Sequence, residues 1–150
     1  MKIIVLVKEV PDTYGDRKLN LETGLAERGA SERVLDEIGE RALEAALSYA
    51  DGAEGTEITV MTMAPGDATA ALRKALGMGA DSAVLVSDDA LAGADLGVTA
   101  KVLAAAVERE GFDLVMTGNV STDGAGGVLP AMLAEHLGVP HMTSLSSVEI

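Results

Sequence analysis

The sequence contains no cysteine and no tryptophan. Disulfides, thiolate metal sites and cysteine nucleophiles are therefore excluded, and a chain built without thiols suits a reducing compartment, so a cytoplasmic location is expected. Aromatic residues are scarce: Tyr14, Tyr49 and Phe112 are the full set. They are too scattered to stack bases, and the core must be aliphatic. Basic residues are few as well, 11 Lys and Arg against 24 Asp and Glu, for a formal charge of −13. Such a chain repels a phosphate backbone, and no basic cluster offsets the repulsion, which argues against nucleic acid as a partner. No apolar run approaches the roughly 18 residues of a membrane span. The opening "MKIIVLVKEVPD" runs into Lys8, Glu9 and Pro11 instead of a small-residue cleavage site, so it is expected to be a first strand and not a signal peptide.

What is present suits one domain over residues 1–150, with 48% hydrophobic and 23% charged residues. Five runs rich in branched residues read as strands: "KIIVLVK" (2–8), "EITVMTM" (57–63), "SAVLVS" (82–87), "FDLVMTG" (112–118) and "HMTSLSSVEI" (141–150). Four are nearly continuous, the pattern of strands buried on both faces of a parallel sheet, and the fifth alternates, the pattern of an edge. Between them lie helical segments. In 36–51 a polar face of Glu37, Glu40, Arg41, Glu44, Ser48 and Asp51 opposes Ile38, Ala42, Ala45, Ala46 and Tyr49. In 67–77 Ala68, Ala71, Leu72, Ala75 and Leu76 are expected to face inward, and in 95–110 Leu96, Thr99, Val102, Leu103, Ala106 and Val107. The alternation implies an α/β fold, a doubly wound parallel sheet of order 3-2-1-4-5 in three layers. Residues 11–35 are too long for an ordinary connection; they hold a possible hairpin about Thr23-Gly24, and an excursion of this kind often covers a site.

In an open parallel sheet ligands gather beyond the carboxyl ends of the strands where strand order reverses, here between the first and fourth strands. The first ends at Val7-Lys8-Glu9; the fourth ends at Thr117-Gly118 and runs into "GNVSTDGAGGVLPAMLAEHLG" (118–138). Pro130 is tolerated only near a helix start, which places that start between Gly126 and Leu129. Free N–H groups of the first turn, together with the helix dipole, attract an anion, and Gly118, Gly124, Gly126 and Gly127 let a phosphate approach without any Arg. The same glycines would equally allow a tight turn and close helix packing; their position at the switch point favours phosphate. Asp123 in such a loop most often caps a helix or shapes a turn, and its functional alternative is to accept hydrogen bonds from an amide or a ribose hydroxyl.

Other signatures are absent. There is no GxGxxG after the first strand, no GxxxxGK[ST] and no GxSxG. His136 reads as helix surface and His141 as the start of the fifth strand, with no clustered carboxylates to complete a metal set. Met61, Met63, Met116 and Met132 read as core filling. Asp88-Asp89 reads as a helix start, where acidic residues are favourable.

The segments "VLVKEVPDT", "ALRKALGMGADSAVLVSDDALAGAD" and "DLVMTGNVSTDGAGGVLPAMLAEHLGVP", in order over nearly the whole chain, resemble the beta subunit of electron transfer flavoproteins. The resemblance implies an adenine-nucleotide alpha-hydrolase-like core and a buried AMP of structural role. It also implies pairing with an alpha subunit that carries most of the FAD contacts, in a heterodimer that takes electrons from dehydrogenases to an acceptor. The beta subunit is then an electron-carrier subunit with no catalytic residues of its own. By position, the resemblance puts AMP against Leu6, against Asp36, Glu37, Ile38 and Gly39, and against Met63. It adds the loop of Gly118, Asn119, Val120, Ser121, Thr122, Asp123, Gly124, Ala125, Gly126, Gly127, Val128 and Leu129.

Asp36-Glu37 and Asn119-Val120 depart from the residues of many relatives, which bears on side-chain contacts to the nucleotide and leaves backbone contacts intact. Members that bifurcate electrons hold a second FAD in place of AMP. Family chains continue well past position 150, so this chain is expected to be truncated relative to them. A second reading is a stand-alone ATP-binding domain of the universal stress type. Its GxxGxxxxxxxxxG[ST] pattern begins at Gly124 and Gly127 and then fails at Leu137 and Val139. A third, an adenylating enzyme, lacks its usual phosphate loop at "KEVPDTYG".

Overall fold

A computed structural model describes residues 1–150. Ile3, Ile4 and Val5 are all fully buried, three successive residues that point to alternate faces, so β1 (Lys2–Leu6) is covered on both sides. It lies between β4 (Glu57–Met63) and β6 (Leu114–Thr117), with β5 (Ser82–Val86) beyond β4. Every pairing is parallel, with Val5 in register with Val60 on one side and Met116 on the other. The order β5-β4-β1-β6 reproduces 3-2-1-4 of the sequence reading. β4 is buried from Ile58 to Thr62, whereas β5 and β6 are half-buried, as strands on the margins of a sheet are.

Four helices flank the sheet: α1 (Glu37–Ala50), α2 (Ala70–Met78), α3 (Leu96–Glu110) and α4 (Leu129–Leu137). On one face Leu43 and Ala46 of α1 and Leu72 and Ala75 of α2 pack with Ile3, Val5 and Val60. On the other Leu103 and Val107 of α3 and Leu133 of α4 pack with Ile4 and Met61. The sheet is therefore covered on both faces, as the doubly wound architecture requires, and each fully buried Ile or Leu contributes about 1.5–3 kcal/mol. No helix is long and apolar enough to cross a membrane. Two stripe residues differ from expectation. Leu76 is exposed because it lies about 100° round the helix from buried Ala75. Leu96 opens α3 at the carboxyl end of the sheet, beyond the reach of the core, and is also exposed.

The fifth strand is not formed. Residues 138–150 carry no ladder and are exposed throughout, and Ser144 turns left-handed at φ 56°. A left-handed residue cannot continue an extended run, and a segment with hydroxyls at Thr143, Ser144, Ser146 and Ser147 offers little apolar surface to hold it against β6. His141, expected to open that strand, lies instead in this exposed segment. The excursion contains a small antiparallel ribbon, β2 (Glu9–Pro11) with β3 (Arg33–Leu35), that three-residue runs do not announce. At its far end Leu19 bridges Ala26 about the turn at Gly24, as the hairpin reading expects.

Candidate functional site

Beyond the carboxyl ends of β1, β4 and β6 lies a cleft of about 740 Å³, within the usual range of small-molecule sites. Its walls come from separate stretches of chain: Leu6 to Pro11, Met61 to Pro65, Thr117 to Ser121, and Gly126 with Gly127, Leu129 and Pro130. Asp36 and Gly39 reach it from the start of α1, and Leu25, Ala26 and Arg28 from the excursion.

Asp36 organises the centre. It is 2% exposed, and its Oδ1 accepts the backbone N–H of Ile38 at 3.1 Å, capping α1. Its Oδ2 accepts the N–H of Thr122 at 2.8 Å, so one carboxylate fixes both the first helix and the glycine loop. The loop comes close to α1 at Gly118, where a Cβ would lie 2.8 Å from Ile38 Cγ2 and 3.3 Å from the Ile38 carbonyl carbon. Gly118 is thus a packing glycine. Gly127 is required for a different reason, its backbone at φ +66°, just before the helix.

α4 begins at Leu129 with Pro130 in its first turn, within the expected limits. α1 and α3 are capped by Asp36 and Asp95, but no side chain caps α4. Its first N–H groups therefore lack a side-chain partner, and bare backbone from Gly126 and Gly127 lines the cleft beside them. An anion is the group such a helix start can accept. A further polar atom, Oγ1 of Thr122, is buried without a hydrogen-bond partner in the same loop.

The chain is strongly acidic, and about the cleft Asp123 and Glu9 are paired with cations while Asp36, Asp88 and Asp89 are not. Asp123, whose side chain is 8% exposed, pairs with Lys8 Nζ at 2.8 Å and Arg28 Nη1 at 2.7 Å. Burial alone would raise its pKa; hydrogen bonds from Lys8, with Ser121 and Arg28 beside it, reverse that and hold it well below the usual carboxylate range. Two cations thus hold this one buried carboxylate in its charged form. Arg33 bridges Glu9 at 3.2 Å and Asp67 at 3.1 Å; its bond to Asp67 and the charge of Glu9 raise its pKa, and Asp67 is lowered in turn. No group of three or more His, Asp or Glu is arranged to hold a metal ion.

Of the residues picked out in the sequence, Leu6, Asp36, Gly39, Met63, Gly118, Asn119, Val120, Ser121, Gly126, Gly127 and Leu129 line the cleft together. Glu37, Ile38, Thr122, Ala125 and Val128 do not: Ile38 is the residue Gly118 packs on, and Ala125 is a left-handed turn at φ 50°. Asp123 and Gly124 border a smaller hollow under the excursion, and the Asp123 carboxylate is engaged by its two cations. Asp88 accepts the N–H of Ala90 at 2.9 Å and opens the short 3-10 turn Asp89–Leu91, the helix-start role expected of it. Lys8, Arg28 and the wall from Leu91 to Gly93 went unmarked in the sequence. Lys8 had one signal, its place directly after the first strand at the switch point. Arg28 had none.

A family model described as the electron transfer flavoprotein domain matches residues 23–150. The chain is 50% identical to the electron transfer flavoprotein subunit beta of Mycobacterium tuberculosis (strain ATCC 25618 / H37Rv), over 99% of this chain and 58% of the relative. It is 48% identical to the subunit of the same name in Mycobacterium leprae (strain TN), with the same coverage. It is 39% identical to the caffeyl-CoA reductase-Etf complex subunit CarD of Acetobacterium woodii, over 100% of this chain and 57% of that one. The chain thus spans a little under three-fifths of the length of the curated relatives it matches.

Proposed function

The chain belongs to the electron transfer flavoprotein domain family, and from that premise we propose that it is the nucleotide-binding part of a beta subunit. Its cleft takes AMP in a structural role, and it pairs with an alpha subunit that carries most of the FAD contacts. The pair works in the cytoplasm and passes electrons from dehydrogenases to an acceptor. The flavin supplies the redox chemistry; the residues described above bind and hold, and none is asked to move a proton or form a bond.

The observation that carries this reading is the uncapped start of α4 opening onto a cleft at the switch point of the sheet. Backbone N–H groups about Gly126 to Leu129 would hold the phosphate. Leu6, Gly39 and Met63 supply an apolar wall for the base and sugar. Phosphate binding by backbone suits this site, because each of its nearby cations already has a carboxylate partner.

The test is to purify the protein, denature it and chromatograph the supernatant, then repeat this with the longer chain and its alpha subunit. AMP in stoichiometric amount supports the reading. FAD from the beta chain alone would replace AMP by a second flavin in the same cleft. Tight ATP binding by a free homodimer would point to the universal stress type. No adenine nucleotide in either preparation would sink the proposal.

A further inference from the structure

Residues 12–32 leave β2 and return at β3, and Leu25, Ala26 and Arg28 among them line the cleft. The segment is held together internally, with Asn20 N–H donating to Leu25 at 2.8 Å and Glu27 N–H to Lys18 at 2.9 Å. It buries almost nothing: from Thr13 to Ala30 only Gly15 and Asn20 are even half-buried, and Tyr14 and Leu21 are 99% and 98% exposed. Apolar burial cannot be what seats it. What seats it is a few contacts from Arg17, Leu25 and Arg28. Arg28 pairs with Asp123 at 2.7 Å, and Arg17 donates to the carbonyl of Thr122. On the opposite rim Leu25 lies against Gly93, where an added Cβ would sit 3.4 Å from Leu25 Cδ2.

We propose that this segment is a latched strap that sets the rate at which a ligand passes in and out of the cleft. Asp123 is the latch on the body of the domain and Arg28 its counterpart on the strap. The proposal rests on the nucleotide reading for the identity of the ligand. A segment with little buried surface opens at low cost, so the cost of opening is dominated by the polar contacts that close it. The pairing of Asp123 is doubled: without Arg28 it still has Lys8 at 2.8 Å, so the glycine loop keeps its anchor while the strap keeps only Arg17 and Leu25. Arg28→Gln therefore loosens the strap selectively.

A gate that is closed with and without ligand slows uptake and release alike. With labelled AMP as the probe, Arg28→Gln raises both rates by about two- to fivefold, the scale for loss of a half-exposed charge pair, and leaves Kd within about twofold. Glu22→Gln, exposed elsewhere on the strap, leaves both rates unchanged. Faster release with unchanged uptake would make Arg28 a direct ligand contact and overturn the strap.

A second measurement needs no nucleotide. The chain has no cysteine, so Met63→Cys places a unique thiol in the cleft wall, and Ala64→Cys repeats the design if the first variant folds poorly. Adding Arg28→Gln raises the rate of thiol modification by a similar factor. An unchanged modification rate overturns the strap; faster modification in a protein that binds no AMP keeps the strap and removes the nucleotide.

Discussion

The carboxylate of Asp36 accepts the backbone N–H of Thr122 at 2.8 Å across 86 residues of chain. The same side chain caps α1 through Ile38, so a single buried residue ties the first crossover to the loop after the last strand. Asp36→Ala removes a cap worth about 1 kcal/mol and a charge-assisted bond worth about 1.5–3 kcal/mol. Loss of about 3 kcal/mol is expected in urea unfolding, as a lower midpoint with an unchanged slope. Asp36→Asn keeps an acceptor for one of the two N–H groups and is expected to lose about half as much.

Gly118→Ala drives a methyl group to 2.8 Å from Ile38 Cγ2, with backbone of the same residue at 3.3 Å. The side chain can shift but the backbone of α1 cannot follow freely, so a loss of about 1–3 kcal/mol is expected. Adding Ile38→Ala relieves the side-chain clash. The pair of changes should therefore destabilise by less than the sum of the two single variants, and additive losses in the double-mutant cycle would refute the contact.

Asp123 has a pKa held below its ordinary value, so its contribution to stability is complete above the pKa it has in the unfolded chain, about 3.9. That contribution disappears only as pH falls further, through the lower folded value. The stability gap between the wild-type chain and Asp123→Asn should be constant from pH 7 to 5 and shrink in more acid solution. Urea midpoints at pH 7, 5 and 3 measure it; a gap that closes between pH 7 and 5 would contradict the pairing with Lys8 and Arg28.

Gly127→Val forces a β-branched residue to φ +66° immediately before α4. The strain costs about 1–3 kcal/mol and displaces the backbone that the proposed phosphate would touch. Affinity for AMP, measured by calorimetry, is expected to fall by at least tenfold. Gly138→Ala meets a similar backbone, at φ +65°, but at the far end of the same helix, and should leave AMP affinity unchanged while losing a comparable amount of stability.

How much of this could be read from the residues alone follows from the range of the forces involved. Runs such as "KIIVLVK" and "EITVMTM" announce strands because burial on both faces leaves an unbroken apolar stretch, and those four strands formed. Pro130 marked the start of α4 because its ring acts on its own turn. The alternation of 141–150 resembles a strand equally well, but whether such a run forms a ladder depends on a neighbour its own pattern cannot specify. β2 and β3 were invisible at three residues each. The least legible part of the site was its charge pairing: Lys8 and Arg28 meet Asp123 across 115 and 95 residues, and such contacts leave no period or spacing in the chain. The crevice between the first and fourth strands follows from topology alone, whereas the eleven residues that line one cleft came with the family resemblance.

The pairing of β1 with β6 imposes an order on the birth of the molecule. Ile3 finds its partner at Leu114, and the Lys2 N–H donates to the Asp113 carboxylate at 2.7 Å, across 111 residues. A ribosome adding about 5–20 residues per second needs on the order of 5–20 s to make the intervening chain. Throughout that interval one side of the most apolar strand has no partner, and β4 can dock only on the other. The nascent chain therefore spends seconds with its central strand half-paired, a window in which chaperones or aggregation compete for it.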